Sequence, residues 1–96
     1  MTKYMAVTVH LSGHLKAVSR GELEVTVPGD HRDVGEVLAA LWKIHPALRD
    51  RVLNEQGEIR QHVNVFSGGG DVKRSDGLRT KIVDGDIHIF NAVSGG

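Results

Sequence analysis

Val34, Val37, Leu38, Leu41 and Trp42 fall at i, i+3, i+4, i+7 and i+8, which is the spacing of one apolar helix face. Asp33 stands where an N-cap belongs, and Glu36 three residues on completes a capping-box pattern that satisfies orphan N–H groups at the helix start. Pro46 disfavours helical geometry at His45, so the helix is predicted to stop there. Gly35 sits in the first turn, where it is expected to permit close approach to the sheet. One amphipathic helix cannot bury its stripe alone, so the rest of the chain must supply an apolar sheet face.

The flanking segments have the period of that sheet. Met5, Val7, Val9 and Leu11 alternate with more polar positions, and Leu23, Val25 and Val27 do the same before Pro28-Gly29. These two strands are expected to form an antiparallel hairpin with a long connection. Beyond the helix, an irregular stretch carries Leu48, Val52 and Leu53. A third strand is then predicted over 59–66, a short strand near Val72 after the Ser67-Gly68-Gly69-Gly70 turn, and a last strand over 87–93 after the Asp84-Gly85-Asp86 turn. The order β-β-α-β-β-β predicts an α+β roll of the β-grasp (ubiquitin-like) type, a mixed sheet of four to five strands with one helix across one face.

The chain has 96 residues, which suits one domain over 1–96 with a flexible tail at 93–96. It contains no cysteine, which removes disulfides, a thiolate zinc site and a catalytic thiol. Twelve Lys+Arg balance twelve Asp+Glu, so the basic excess that drives phosphate-backbone binding is missing and nucleic acid is not an expected partner. The first residues lack a signal-peptide pattern, and no apolar run approaches the roughly 20 residues that span a bilayer. The expectation is a cytoplasmic protein with no membrane partner.

The sequence ends Ala92-Val93-Ser94-Gly95-Gly96. Glycine has no Cβ, so such an end could slide into a narrow channel with nothing shielding its last carbonyl carbon. The stretch from His62 onward resembles the ThiS/MoaD family of ubiquitin-like sulfur carriers. The resemblance rests on Val63-Asn64-Val65, Asp71-Val72, Gly77-Leu78, Asp84-Gly85-Asp86, Ile89, Ala92-Val93 and Gly95-Gly96. The helix start Asp33-Val34-Gly35-Glu36-Val37-Leu38 fits the same pattern, while the first thirty residues match in pattern more than identity. By length and spacing the chain is most similar to the longer carriers of the CysO type. It departs from the family in having Asn91 where a proline is usual, and Ser94 where alanine or threonine is commoner.

The resemblance implies that the chain is a co-substrate and not an enzyme. An E1-like adenylyltransferase would use ATP to activate the Gly96 carboxylate, with Gly95 and Ser94 needed for activation. A sulfur donor (a sulfurtransferase or sulfide) would convert it to a thiocarboxylate, a 1-thioglycine at Gly96. A sulfur-accepting biosynthetic enzyme would take the sulfur, for cysteine or another metabolite. No cofactor is expected to be bound by the carrier itself. The same tail also suits a protein modifier joined to lysines, or a small subunit of a molybdopterin-synthase-like complex, and a plain β-grasp interaction module would not use its terminus.

Other local features read as structural. Gly68-Gly69-Gly70-Asp71-Val72-Lys73 lacks the second glycine and the Lys-Ser/Thr pair of a phosphate loop, so a flexible hairpin connection is expected. The six histidines (10, 14, 31, 45, 62 and 88) show no metal-ligand spacing, and surface positions are expected for them. Trp42, on the apolar stripe, is expected in the core. With Ile87 and Ile89 inward, His88 and Phe90 face outward; the same phase on the third strand turns Asn64 and Phe66 outward. Phe66, His88 and Phe90 are therefore a candidate docking patch for the activating enzyme and the sulfur acceptor.

Overall fold

In the computed structural model, which describes residues 6–91, five strands form one mixed sheet: β1 (Ala6–Leu11), β2 (Glu24–Pro28), β3 (Val63–Ser67), β4 (Gly70–Asp71) and β5 (Asp86–Asn91). Their spatial order is β2-β1-β5-β3-β4. β1 and β2 pair antiparallel, β1 and β5 pair parallel, and β3 lies antiparallel to both β5 and β4. Helix α1 (Val34–Ile44) buries Val34, Val37, Leu38 and Leu41 in one cluster with the inward residues of the sheet, among them Val7, Val9, Val27, Ile87 and Ile89. This is the β-grasp arrangement that a lone helix and an amphipathic sheet require.

Local chemistry explains the helix ends. Asp33 Oδ1 accepts from the Glu36 backbone N–H at 2.9 Å, so the cap forms as expected. The reciprocal half of the capping box is displaced by one residue: Glu36 Oε1 accepts from the backbone N–H of Arg32 at 2.8 Å. That bond, with the Arg32 side chain as a further influence, holds the Glu36 carboxyl below its ordinary value against the opposing effect of desolvation. His45 ends α1 outside helical geometry, ahead of Pro46. A β-carbon at Gly35 would lie 3.0 Å from the Leu78 carbonyl oxygen, so the close approach is to the turn before β5 and not to the sheet. Trp42 packs against the core but is only partly buried.

Several expected boundaries shift. The third strand begins at Val63, not 59, because Arg60 N–H bonds back to Val52 and Val63 N–H to Arg60, closing a turn. Ile59 instead bridges Leu53 beside the core. The stretch after Pro46 forms a 3₁₀ turn and one helical turn, α2 (Arg49–Val52), which bury Leu48 and Val52. Val72 is buried but starts a 3₁₀ turn, and the short strand is Gly70–Asp71. Leu23 keeps the inward phase of its strand, yet it precedes β2 and stays 43% exposed, where the core no longer reaches this edge of the sheet. The β1–β2 connection is long, as expected, and its 3₁₀ turn (Gly13–Val18) buries Leu15. Met5 and the last two positions of the predicted 87–93 strand lie outside the described residues.

The two glycine turns are built as their residues demand. Gly68 and Gly69 join β3 to β4 with φ of 62° and 81°, the positive pair that a two-residue hairpin prefers. A short strand pair therefore leads into a 3₁₀ turn, which is no phosphate loop. At Asp84-Gly85-Asp86, Gly85 takes φ of 79° and Asp84 Oδ1 accepts from Asp86 N–H at 3.2 Å. Gly85 then passes its carbonyl to Thr8 N–H at 3.0 Å, which sets β5 beside β1.

Candidate docking face

The face of the sheet turned away from α1 carries the candidate patch. The β3–β5 register sets Phe66 opposite His88 and Asn64 opposite Phe90. Side chains at opposed and diagonal positions of an antiparallel pair touch when they are long or aromatic. Accordingly Phe66 and Phe90 stack with ring centroids 5.3 Å apart, and Phe90 remains 37% exposed. Phe66, His88 and Phe90 thus form one contiguous group, as their phase along the strands suggested. Beside Phe66, a shallow cleft is lined by Gly69, Gly70, Asp71, Arg74 and Ser75.

Pairing of β1 with β5 extends the patch in a direction that periodicity does not reveal. His10 lies in register with His88, and their rings stack 4.3 Å apart at 11°. His10 Nε2 is 2.9 Å from Asp86 Oδ1, and because an ionised carboxylate only accepts, this nitrogen donates. Its Nδ1 lies 3.7 Å from Glu24 Oε2, contributed by β2. A single row therefore crosses the sheet from Glu24 through His10, His88 and Phe66 to Asp71. Outward phase placed His10 on a surface, but only the parallel register makes it part of this row, and Asp86 reaches it from the neighbouring turn.

The histidines do not act as one set. His14 and His62 are exposed and His31 bonds the Pro28 carbonyl at 3.0 Å. Against expectation His45 is buried, because the end of α1 turns it under the β1–β2 connection to meet Glu22. Among the described residues no group of three or more His, Cys, Asp or Glu is arranged to hold a metal ion, and no helix is long and apolar enough to cross a membrane. Ser94, Gly95 and Gly96 lie outside the described residues; β5 runs toward them, and Phe90 is the outward residue of that strand closest to them in sequence.

A five-stranded mixed sheet with α1 packed on its inner face and an aromatic pair on its outer face defines a ubiquitin-like β-grasp protein. The chain belongs to the ThiS/MoaD-like family of ubiquitin-like sulfur carriers, with CysO proteins and small archaeal modifier proteins as relatives. It is 33% identical to the sulfur carrier protein CysO of Mycobacterium tuberculosis over 95 residues, covering 96% of this chain and 100% of that protein. It is 40% identical to small archaeal modifier protein 3 of Haloferax volcanii over 68 residues, or 70% of this chain and 73% of the relative. Among solved structures, a chain of the Amycolatopsis orientalis BexX/CysO complex superposes with a TM-score of 0.82 at 30% identity, covering 95% of this chain and 100% of that one. No protein-family model matches the chain. These relatives are named as carriers and modifiers rather than as enzymes.

Proposed function

We propose that this protein carries sulfur on the carboxyl group of Gly96. The observation that carries the reading is the similarity to CysO over that carrier's whole length. An E1-like enzyme would let a Gly96 carboxylate oxygen attack the α-phosphorus of ATP, releasing pyrophosphate and leaving an acyl-adenylate. Sulfide sulfur would then attack the carbonyl carbon and expel AMP, exchanging one oxygen for sulfur. The adenylate supplies the leaving group that a carboxylate lacks, and the resulting thiocarboxylate is an activated nucleophile. Gly95 and Ser94 would thread the channel, and a biosynthetic enzyme would accept the sulfur. The neighbour solved as a BexX/CysO complex supports docking of such a carrier on a second protein.

The outer sheet face is the docking surface in this reading. His88 and Phe90 lie on β5, which precedes the tail in sequence, and Phe66 lies on its neighbour β3, so a partner seated there would hold the chain just ahead of the reacting end. Intact mass after incubation with ATP, an E1-like enzyme and sulfide is expected to show oxygen replaced by sulfur, and deletion of Gly96 is expected to abolish the change. Modification that persists without Gly96 would place the chemistry elsewhere.

A second reading follows from the small archaeal modifier relatives: Gly96 would be joined to substrate lysines. The two chemistries share the activated end. Conjugates at lysine, seen as a ladder above the free chain, separate the modifier from the carrier.

A further inference from the structure

We propose that Glu24, His10, Asp86 and His88 form a recognition site for an arginine side chain presented by the partner that docks on the outer sheet face. The inference rests on reading that face as a docking surface, and it specifies what the partner must bring. Asp86 Oδ1 takes the hydrogen of His10 Nε2, so in the neutral ring Nδ1 carries a lone pair. That lone pair faces a second acceptor, Glu24 Oε2, at 3.7 Å. While the ring is neutral, a donor brought from outside near both atoms would match the two acceptors. Among the described residues Glu24 and Asp86 make ion pairs with His10 alone, and no lysine or arginine pairs with either. Their side chains are 71% and 46% exposed, so a cation from outside can reach them.

The neighbouring rings select the kind of cation. The His10–His88 stack and the Phe66–Phe90 pair lie side by side on the same face, a run of flat rings next to two carboxylates. A guanidinium is planar, stacks on such rings and offers several N–H groups in a fixed fork, so it suits a site where flat rings stand beside carboxylates. An ammonium is compact and strongly hydrated and fits this arrangement less well.

The site is also sensitive to protons. Facing His10 are Glu24 from β2 and Asp86 and His88 from β5, while β3 contributes only uncharged Phe66 and Asn64 to this face. Protonation of His10 at Nδ1 would supply from within the donor that the arginine supplies from outside. A cationic ring, at His10 or at His88, would also repel the guanidinium. Neutral rings therefore favour arginine binding and cationic rings oppose it.

The test uses the full chain and two small probes, N-acetyl-arginine amide and N-acetyl-lysine amide, titrated while the imidazole resonances of His10 and His88 are followed by NMR. The arginine probe is expected to shift both resonances saturably and to bind several-fold more tightly than the lysine probe. The isosteric double variant Glu24→Gln, Asp86→Asn is expected to weaken arginine binding roughly fivefold or more. Equal response to both probes, no saturable response, or unchanged binding in the double variant would each overturn the proposal. Neither Gly96 nor a partner enzyme takes part, so this result and the mass-spectrometric result at Gly96 stand or fall separately.

Discussion

His45 and Glu22 are joined by a 2.7 Å hydrogen bond between Nε2 and Oε1, which fastens the end of α1 to the β1–β2 connection. The imidazole is 4% exposed while the carboxylate is half in solvent, so the bond satisfies a buried donor from the surface side. Glu22→Ala leaves that donor unpaired and is expected to destabilise the fold by about 1–3 kcal/mol. Urea denaturation of Glu22→Ala, His45→Leu and the double variant checks this. The double variant is expected to lose less than the sum of the single losses, as for any pair in direct contact.

The start of α1 has its own prediction. Asp33→Ala removes the acceptor for Glu36 N–H and is expected to cost about 1 kcal/mol in the same measurement. Glu36 acts through pH. Its carboxyl is held below its ordinary value mainly by the Arg32 N–H, so the folded chain binds this proton more weakly than the unfolded chain. The stabilisation is then complete above the ordinary carboxylate range and is lost as pH falls through the lowered value. The stability difference between wild type and Glu36→Gln is accordingly expected to be present at neutral pH and to disappear on acidification, as read by thermal melts across pH.

At the β3–β4 turn two adjacent glycines are expected to respond unequally. A β-carbon at Gly68 would sit 2.8 Å from Val83 Cβ, whereas Gly69 has open space. Both have positive φ, so alanine at either is strained by roughly 1–2 kcal/mol, and only Gly68→Ala adds a clash. Gly68→Ala should therefore melt at a lower temperature than Gly69→Ala. A second change, Val83→Ala, leaves the β-carbon clash in place and is expected to relieve only the contacts with the Val83 methyl groups, at 3.1 and 3.2 Å.

The aromatic pair is expected to separate binding from folding. Phe66→Ser and Phe90→Ser remove side chains from the outer face and leave the inward residues of β3 and β5 in place. Under the proposed function, affinity for an E1-like enzyme is expected to fall about tenfold or more for each, with unchanged far-UV circular dichroism. Undiminished affinity in both variants would remove the patch from the docking surface.

What could be read from the sequence alone was whatever depends on a residue's near neighbours. The spacing of Val34, Val37, Leu38 and Leu41 specifies a helix face, and the alternation around Val63, Val65, Ile87 and Ile89 assigns each side chain to a side of the sheet. From these follow the β-grasp, the Asp33 cap, the glycine turns and the outward phase of Phe66, His88 and Phe90. The family resemblance, resting on motifs such as Asp84-Gly85-Asp86, was legible in the same way. Tertiary structure decided what depends on which strands become neighbours. The parallel pairing of β1 with β5 joins residues 78 positions apart in His10 and His88, and no local period encodes that register. The burial of His45 has the same cause, because Glu22 from the β1–β2 connection meets it there. The third strand is cut short by a local turn that periodicity does not show, closed by the bonds from Arg60 N–H to Val52 and from Val63 N–H to Arg60. Periodicity says which way a side chain faces, and only packing says what it meets there.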